Sequence, residues 1–187
     1  LPNASGTLTF SRSFLDAVNH YKDKAQAKGV RVILCIGQEG ASYCTTFSMI
    51  ANNETTRKKF AQNIVKAINE YGFDGVDIDW EFPGTSELDT SYYTTERDQM
   101  NLNKLLRDFR NEMTARQGLY GSPYILSAAI PATSWGSQRY DFSGAASKKL
   151  SKDPTLGGID DYCDYVNMMS YDLNKETNAT HLTACYT

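Results

Sequence analysis

The sequence predicts an α/β protein with a parallel sheet, and two patterns carry that prediction. Four short runs combine apolar residues with turn signals at their ends, as buried strands do; they are residues 30–37, 73–84, 124–131 and 164–172. Segments with helical periodicity precede and separate these runs. Because strands and helices alternate, the order favours right-handed βαβ units and parallel strands. Periodicity alone equally allows a small open α/β sheet.

Three helices are predicted from apolar side chains spaced three or four residues apart. They are residues 13–28, 55–71 and 96–117, and each is followed by a glycine that can end a helix. Between the first strand and the second helix, a loop is expected through Cys44. The basic trio Arg57, Lys58 and Lys59 is expected on a solvated helix face. Residues 134–158 show little periodicity and predict loops with one short helix.

Composition excludes several classes of function. A chain of 187 residues is long enough for one domain with a sizeable core. Its 41 % hydrophobic and 22 % charged residues are typical of a globular protein. The net charge of −3 gives no reason to expect nucleic acid or an anionic membrane as a partner. No apolar run approaches the ~20 residues that cross a bilayer.

The cysteines and the glycosylation sequons indicate whether the protein is secreted. Cys35, Cys44, Cys163 and Cys185 match no CxxC metal site, and three disulfide connectivities remain open. Cys35 is as readily a buried free thiol as half of a disulfide. Asn-x-Ser/Thr sequons at Asn3, Asn53 and Asn178 indicate a secreted glycoprotein. The chain starts abruptly, without a signal peptide, so we expect it to be part of a longer protein.

The most informative stretch is residues 73–84, FDGVDIDWEFPG. Side chains alternate across a strand and residues two apart are separated by roughly 6.5–7 Å, so Asp77, Asp79 and Glu81 form a row on one face. A solvent-facing edge strand is the simplest alternative, but the opposite face is strongly apolar. That face places the strand within a sheet. Burying a row of carboxyls there costs free energy, and each carboxyl perturbs the pKa of its neighbours. The row therefore predicts a functional site and not a solvated strand surface.

This stretch resembles the pattern D-x-x-D-x-D-x-E of family 18 glycoside hydrolases, the chitinases and their relatives, at all four acidic positions; the first is Asp74. A second stretch, MSYD at residues 169–172, resembles the family's M-x-Y-D. Two looser matches are AAIPA and residues 35–38. In the latter, Cys35 replaces the serine of the family's S-x-G-G and Gln38 replaces its second glycine. Together these matches span about residues 30–173.

The resemblance implies a (β/α)8 TIM barrel of which this chain covers about strands 3–6 with their helices. Residues 1–187 are then a single, partial catalytic domain. Strands 1, 2, 7 and 8 are not in this sequence, and the rest of a longer chain would supply them.

The resemblance also implies hydrolysis of β-1,4-linked N-acetylglucosamine polymers by a retaining, substrate-assisted mechanism. Glu81 would be the general acid and base, with a raised pKa. Asp79 would orient the substrate's acetamido group, and Asp77 would share a proton with Asp79. Tyr171 would donate a hydrogen bond to the acetamido oxygen. The other implied roles are sugar contacts for Asp172, Met169, Phe82 and Gly37 and a structural one for Asp74. No metal or organic cofactor is required.

Three other functions fit parts of the pattern. An endo-β-N-acetylglucosaminidase acting on N-glycans shares the acidic motif. A non-catalytic chitinase-like lectin has usually lost the glutamate, which is present here as Glu81. A metal-dependent α/β enzyme could use Asp77 and Asp79 as Mg²⁺ ligands, but the sequence has no phosphate-binding glycine loop.

Overall fold

The structure, a computed structural model, describes residues 6, 9–86, 93–120 and 123–171. In chain order its elements are α1 (Arg12–Gln26), β1 (Ile33–Glu39), α2 (Ala41–Asn52), α3 (Glu54–Tyr71), β2 (Gly75–Glu81), α4 (Thr95–Tyr120), β3 (Ile125–Pro131), α5 (Ser134–Ser137), α6 (Ala145–Ser151), α7 (Ile159–Tyr162) and β4 (Tyr165–Met169).

The four strands form one parallel sheet in the order β1-β2-β3-β4. This confirms the predicted α/β architecture with a parallel sheet. The acidic strand β2 lies inside the sheet, between β1 and β3, as its apolar face predicted. Its residues pair in register with β1, so Cys35 lies beside Asp77 and Gly37 beside Asp79.

The core lies between one face of the sheet and helices α2, α3 and α4. Every second residue of β2 points into it, and Val76, Ile78 and Trp80 are all buried. The Trp80 ring stacks on Phe47 of α2 at 5.5 Å between centroids. Burying a side chain of this size stabilises the fold by roughly 1.5–3 kcal/mol. Since alternation fixes the opposite face as well, the core also determines where the carboxyls of β2 point.

The first part of the chain corrects two predictions. Helix α1 begins at Arg12, one residue earlier than predicted, because Ser11 caps it: the Phe14 N–H donates to Ser11 Oγ at 3.2 Å. The loop predicted through Cys44 is wrong, because α2 begins at Ala41. That helix is rich in Ser and Thr, which favour helices only weakly. Burial of its apolar face therefore determines that the segment is helical. Its buried apolar residues share one face and are Cys44, Phe47, Ile50 and Ala51.

Other differences are smaller. Strand β1 begins three residues and ends two residues later than predicted, and α4 continues past Gly118 to Tyr120. Residues 134–158 hold two short helices instead of one, and α7 follows them. Arg57 is not solvated: it is buried and its Nε lies 2.7 Å from Asp108 Oδ2 on α4. Gly72 ends α3 in the left-handed conformation, φ 71°, as predicted.

The described cysteines, Cys35, Cys44 and Cys163, are free thiols, so no disulfide joins any two of them. Cys185 lies outside the described residues, as do the sequons at Asn3 and Asn178. Asn53 is exposed and caps α3, where its Oδ1 accepts from the Thr56 N–H at 3.1 Å. Within the described ranges, no helix has both the length and the apolar character needed to cross a membrane.

Candidate active site

The acidic row lies on the face of the sheet opposite the helices, along the second half of β2. Asp77 is buried, whereas Asp79 and Glu81 are partly exposed. Glu81 is the last residue of the strand, so it stands at the C-terminal edge of the parallel sheet. Active sites of parallel α/β proteins form at this edge.

Asp77 is held by donors from both neighbouring strands and from the strand beyond β3. Its Oδ1 accepts from Ser127 Oγ at 2.6 Å and from Asn167 Nδ2 at 2.8 Å. Its Oδ2 lies 3.5 Å from Cys35 Sγ. These contacts replace the water that burial removes from the carboxylate and fix its orientation in the row.

Asp79 has a different environment. Burial, together with the neighbouring charge of Asp77, raises the pKa of Asp79, and a hydrogen bond with Glu81 partly offsets that increase. Asp79 Oδ1 is buried without a hydrogen-bond partner among the described residues. The surroundings of the middle carboxyl therefore favour its protonated form, and one of its oxygens can still accept a hydrogen bond.

The thiol of Cys35 stands where the family pattern has a serine. Cys35 is exposed as a residue, but partial burial of its thiol against β2, followed by the charges of Asp77 and Asp79, raises the pKa of Cys35 to about 12. The thiol consequently keeps its proton at neutral pH and serves as a weak donor to Asp77, not as a nucleophile.

Tyr140 approaches the row from the connection after α5. Its phenol donates to the Trp80 carbonyl at 2.9 Å, one residue before Glu81. Burial, together with the charges of Glu81 and Asp79, raises the pKa of Tyr140. The phenol therefore remains a donor throughout the physiological range.

The remaining predicted residues are placed as follows. Gly37 pairs with Asp79 so closely that a Cβ would lie 1.8 Å from the Asp79 carbonyl oxygen. Phe82, joined to Glu81 by a cis peptide bond, is half-buried and packs against the core. Met169 ends β4, and Tyr171, two residues further on, is 50 % exposed. Asp172 lies outside the described residues.

Asp74 lies at the start of β2, away from the row. Its Oδ2 accepts from the Val32 N–H at 2.7 Å and from Gln26 Nε2 at 2.9 Å. The carboxylate thus links the beginnings of β1 and β2 to the end of α1.

Three residues of the site were not predicted. Ser127 and Asn167 had a visible signal, because each is a polar side chain within an apolar strand. Tyr140 had none, since it lies in the weakly periodic stretch of residues 134–158. For metals, the described residues contain no group of three or more His, Cys, Asp or Glu side chains that could hold an ion.

The chain is an α/β protein whose acidic row ends at the C-terminal edge of a parallel sheet, and comparison with known proteins specifies its family. The profile of "Glycosyl hydrolases family 18" matches residues 2–187, so the chain belongs to that family. Among curated relatives, chitinase 1 of Aphanocladium album is 36 % identical over 154 residues, which cover 81 % of this chain and 30 % of that protein. Chitinase A1 of Niallia circulans is 33 % identical over 153 residues, 82 % of this chain and 20 % of that protein.

Solved structures of a chitinase and of a chitinase-like protein have folds similar to that of this chain. Chitinase ChiA74 from Bacillus thuringiensis superimposes with a TM-score of 0.70 at 29 % identity, covering 92 % of this chain and 25 % of that one. The chitinase-like agglutinin from Robinia pseudoacacia gives 0.72 at 26 % identity, covering 91 % and 46 %. The chain thus spans less than a third of these two curated relatives' length and under half of either solved chain.

Proposed function

We propose that the full-length protein hydrolyses β-1,4-linked N-acetylglucosamine polymers, chitin and chitooligosaccharides, by a retaining, substrate-assisted mechanism. The observation that carries the proposal is the row of Asp77, Asp79 and Glu81 on β2, within a family 18 chain whose relatives named above include two curated chitinases. Of these three carboxyls, Glu81 stands nearest the sheet edge at which a polysaccharide can approach.

In this proposal Glu81 protonates the glycosidic oxygen and later removes a proton from water. The substrate's acetamido oxygen attacks the anomeric carbon, so configuration is retained. Asp79 accepts a hydrogen bond from the acetamido N–H, which suits its buried oxygen without a partner. Asp77, held by Ser127 and Asn167, shares the proton of the pair with Asp79.

Residues at the ends of the strands complete the sugar site. Tyr171 donates to the acetamido oxygen; its half-exposed position after β4 leaves it accessible to substrate. Met169, Asp172, Phe82 and Gly37 border the same site. No residue in this scheme requires a cofactor.

We further propose that β1 to β4 are strands 3–6 of a TIM barrel. Both β1 and β4 are edge strands of the sheet, and Tyr165 and Met168 of β4 are 44 % and 60 % exposed. Exposed edges and apolar faces of this kind are normally covered by further structure. Strands 1, 2, 7 and 8 would come from the rest of a longer chain. The sequons favour a secreted, N-glycosylated protein, and enzymatic deglycosylation that lowers its mass would support this.

The deciding experiment is Glu81→Gln in the full-length protein, with Glu70→Gln, on the exposed face of α3, as the matched control. Loss of the general acid should reduce turnover of chitooligosaccharides by at least about 100-fold, with binding largely retained. Undiminished turnover by Glu81→Gln would overturn the mechanism. Wild-type binding without hydrolysis would favour a lectin, such as the Robinia agglutinin named above, and cleavage of N-glycans alone would favour an endo-β-N-acetylglucosaminidase.

A further inference from the structure

The peptide groups on both sides of Glu81 are hydrogen-bonded to side chains outside β2. The carbonyl of Trp80, which precedes Glu81, accepts from the Tyr140 hydroxyl at 2.9 Å. The N–H of Phe82, which follows Glu81, donates to Thr85 Oγ1 at 3.2 Å. The backbone of Glu81 is therefore anchored on both sides at the end of the strand, where β1 still pairs with it but the pairing with β3 has already stopped at Ile78.

The buried thiol of Cys44 links the same two neighbours. Its Sγ accepts from Trp80 Nε1 at 3.0 Å and donates to the Phe82 carbonyl at 2.8 Å. Thr85 Oγ1 lies 3.1 Å from the same sulfur. Cys44 belongs to α2, so the core helix that packs behind β2 also fixes the turn that follows Glu81.

The next two residues of the turn are held in the same way. The Pro83 carbonyl accepts from Arg139 Nη1 at 2.8 Å, and the Gly84 N–H donates to Asp98 Oδ2 at 2.9 Å. Side chains from α2, α4 and the connection after α5 thus satisfy the backbone around the acid. A general acid must lie within hydrogen-bond distance of the leaving oxygen, and its position must be held to about 0.5 Å of the productive geometry; such anchoring provides that alignment.

We propose that Tyr140 is a positioning residue that aligns Glu81 with the leaving-group oxygen through the Trp80 carbonyl, with Cys44 as the second anchor of the same segment. This inference rests on the proposed role of Glu81 as general acid. Tyr140 is 6 % exposed and its hydroxyl is bonded to the backbone, so it acts on Glu81 and not on the substrate.

The test uses Tyr140→Phe in the full-length protein, which removes the hydroxyl and keeps the ring. Two substrates are compared: a chitooligosaccharide, whose sugar leaving group needs a proton, and its 2,4-dinitrophenyl glycoside, whose leaving group departs without one. We expect kcat to fall about tenfold on the oligosaccharide, the order of one lost hydrogen bond, and less than about twofold on the aryl glycoside. KM should stay within about twofold on both.

Tyr162→Phe is the matched control. This substitution also removes a phenol that bonds the backbone, where it accepts from the Gly157 N–H at 2.6 Å. Tyr162, however, precedes β4 and so lies at the N-terminal ends of the strands, whereas Glu81 lies at the C-terminal end of β2. We expect it to change neither substrate's kcat. Cys44→Ala should reproduce the leaving-group-dependent loss, and Cys44→Ser, which keeps a donor and an acceptor, should restore most of it.

An equal loss on both substrates, or no loss on the oligosaccharide, overturns the positioning role while leaving the proposed function intact. If Tyr140→Phe fails to fold, the Cys44→Ala and Cys44→Ser pair decides by the same ratio of kcat values. If the wild-type protein cleaves neither substrate, the proposed function itself fails, and the inference fails with it.

Discussion

Ser127 and Asp77 are paired neighbours across β3 and β2, and the serine hydroxyl lies 2.6 Å from Asp77 Oδ1. Ser127 is fully buried and Asp77 is 9 % exposed, so water cannot readily replace this contact. The innermost carboxyl of the row is thus oriented by side chains of other strands, Ser127 among them, and not by its own strand.

We predict that Ser127→Ala destabilises the protein by about 1–3 kcal/mol and lowers kcat, because it removes a donor from a buried carboxylate of the proposed active site. Urea denaturation and chitooligosaccharide turnover measure the two effects. Ser147→Ala is the control: this serine is equally buried, but it accepts from Asn103 Nδ2 on α4, outside the site. It should lose stability and keep kcat. Equal kcat in the two variants would show that the Ser127–Asp77 bond has no part in turnover.

Asp98 gives a prediction on pH. It is fully buried on α4, where it accepts from Ser48 Oγ at 2.7 Å and from the Gly84 N–H at 2.9 Å. Burial nevertheless raises the pKa of Asp98 above its ordinary value, and the two bonds offset this only in part. The folded state therefore holds the proton more tightly than the unfolded state does. The stability this contributes is fully present below the unfolded pKa of about 3.9 and is lost as pH rises through the folded pKa.

Asp98→Asn keeps an acceptor oxygen and cannot ionise. We expect its unfolding free energy, relative to wild type, to rise between pH 4 and pH 7, because only the wild-type protein loses stability as Asp98 ionises. Urea denaturation at a series of pH values measures the difference. Asp16→Asn, on the exposed part of α1, controls for the change in net charge. Its unfolding free energy relative to wild type should not change with pH. A flat profile for Asp98→Asn as well would mean that burial does not govern this carboxyl.

What could be predicted from the sequence follows from the rigidity of the strand repeat. Alternation alone placed Asp77, Asp79 and Glu81 on one face and Val76 and Ile78 on the other, as observed. The order of strands and helices likewise predicted the parallel sheet, because a short connection through a helix leaves few other arrangements.

What could not be predicted depends on tertiary contacts. Helix α2 was missed because its Ser- and Thr-rich sequence has weak helical preference and forms only where Phe47 and Ile50 are buried. Tyr140 reaches the Trp80 carbonyl across 60 residues of sequence, and no local pattern specifies such a contact. Arg57 looked solvated because its partner, Asp108, lies on another helix.

Gly37 supports the strongest prediction about backbone packing. Its φ of 155° is rare for other residues, and a Cβ there would lie 1.8 Å from the Asp79 carbonyl oxygen. We expect Gly37→Ala to force β1 away from β2 beside the acidic row, with a stability loss above about 3 kcal/mol and loss of turnover. Urea denaturation and activity assays measure both.

Gly29→Ala separates the collision from the cost of the backbone conformation. Gly29 also has a positive φ, 75°, but a Cβ there would meet nothing within 4 Å. It should therefore cost only about 1 kcal/mol, the penalty of placing a side chain in the left-handed region. If Gly37→Ala proved no less stable than Gly29→Ala, the strands would have room to separate locally, and the close approach of Gly37 to Asp79 would not be required for the fold. We expect the reverse, because Asp79 lies on a strand buried between two neighbours and cannot shift without displacing Asp77 and Glu81 as well.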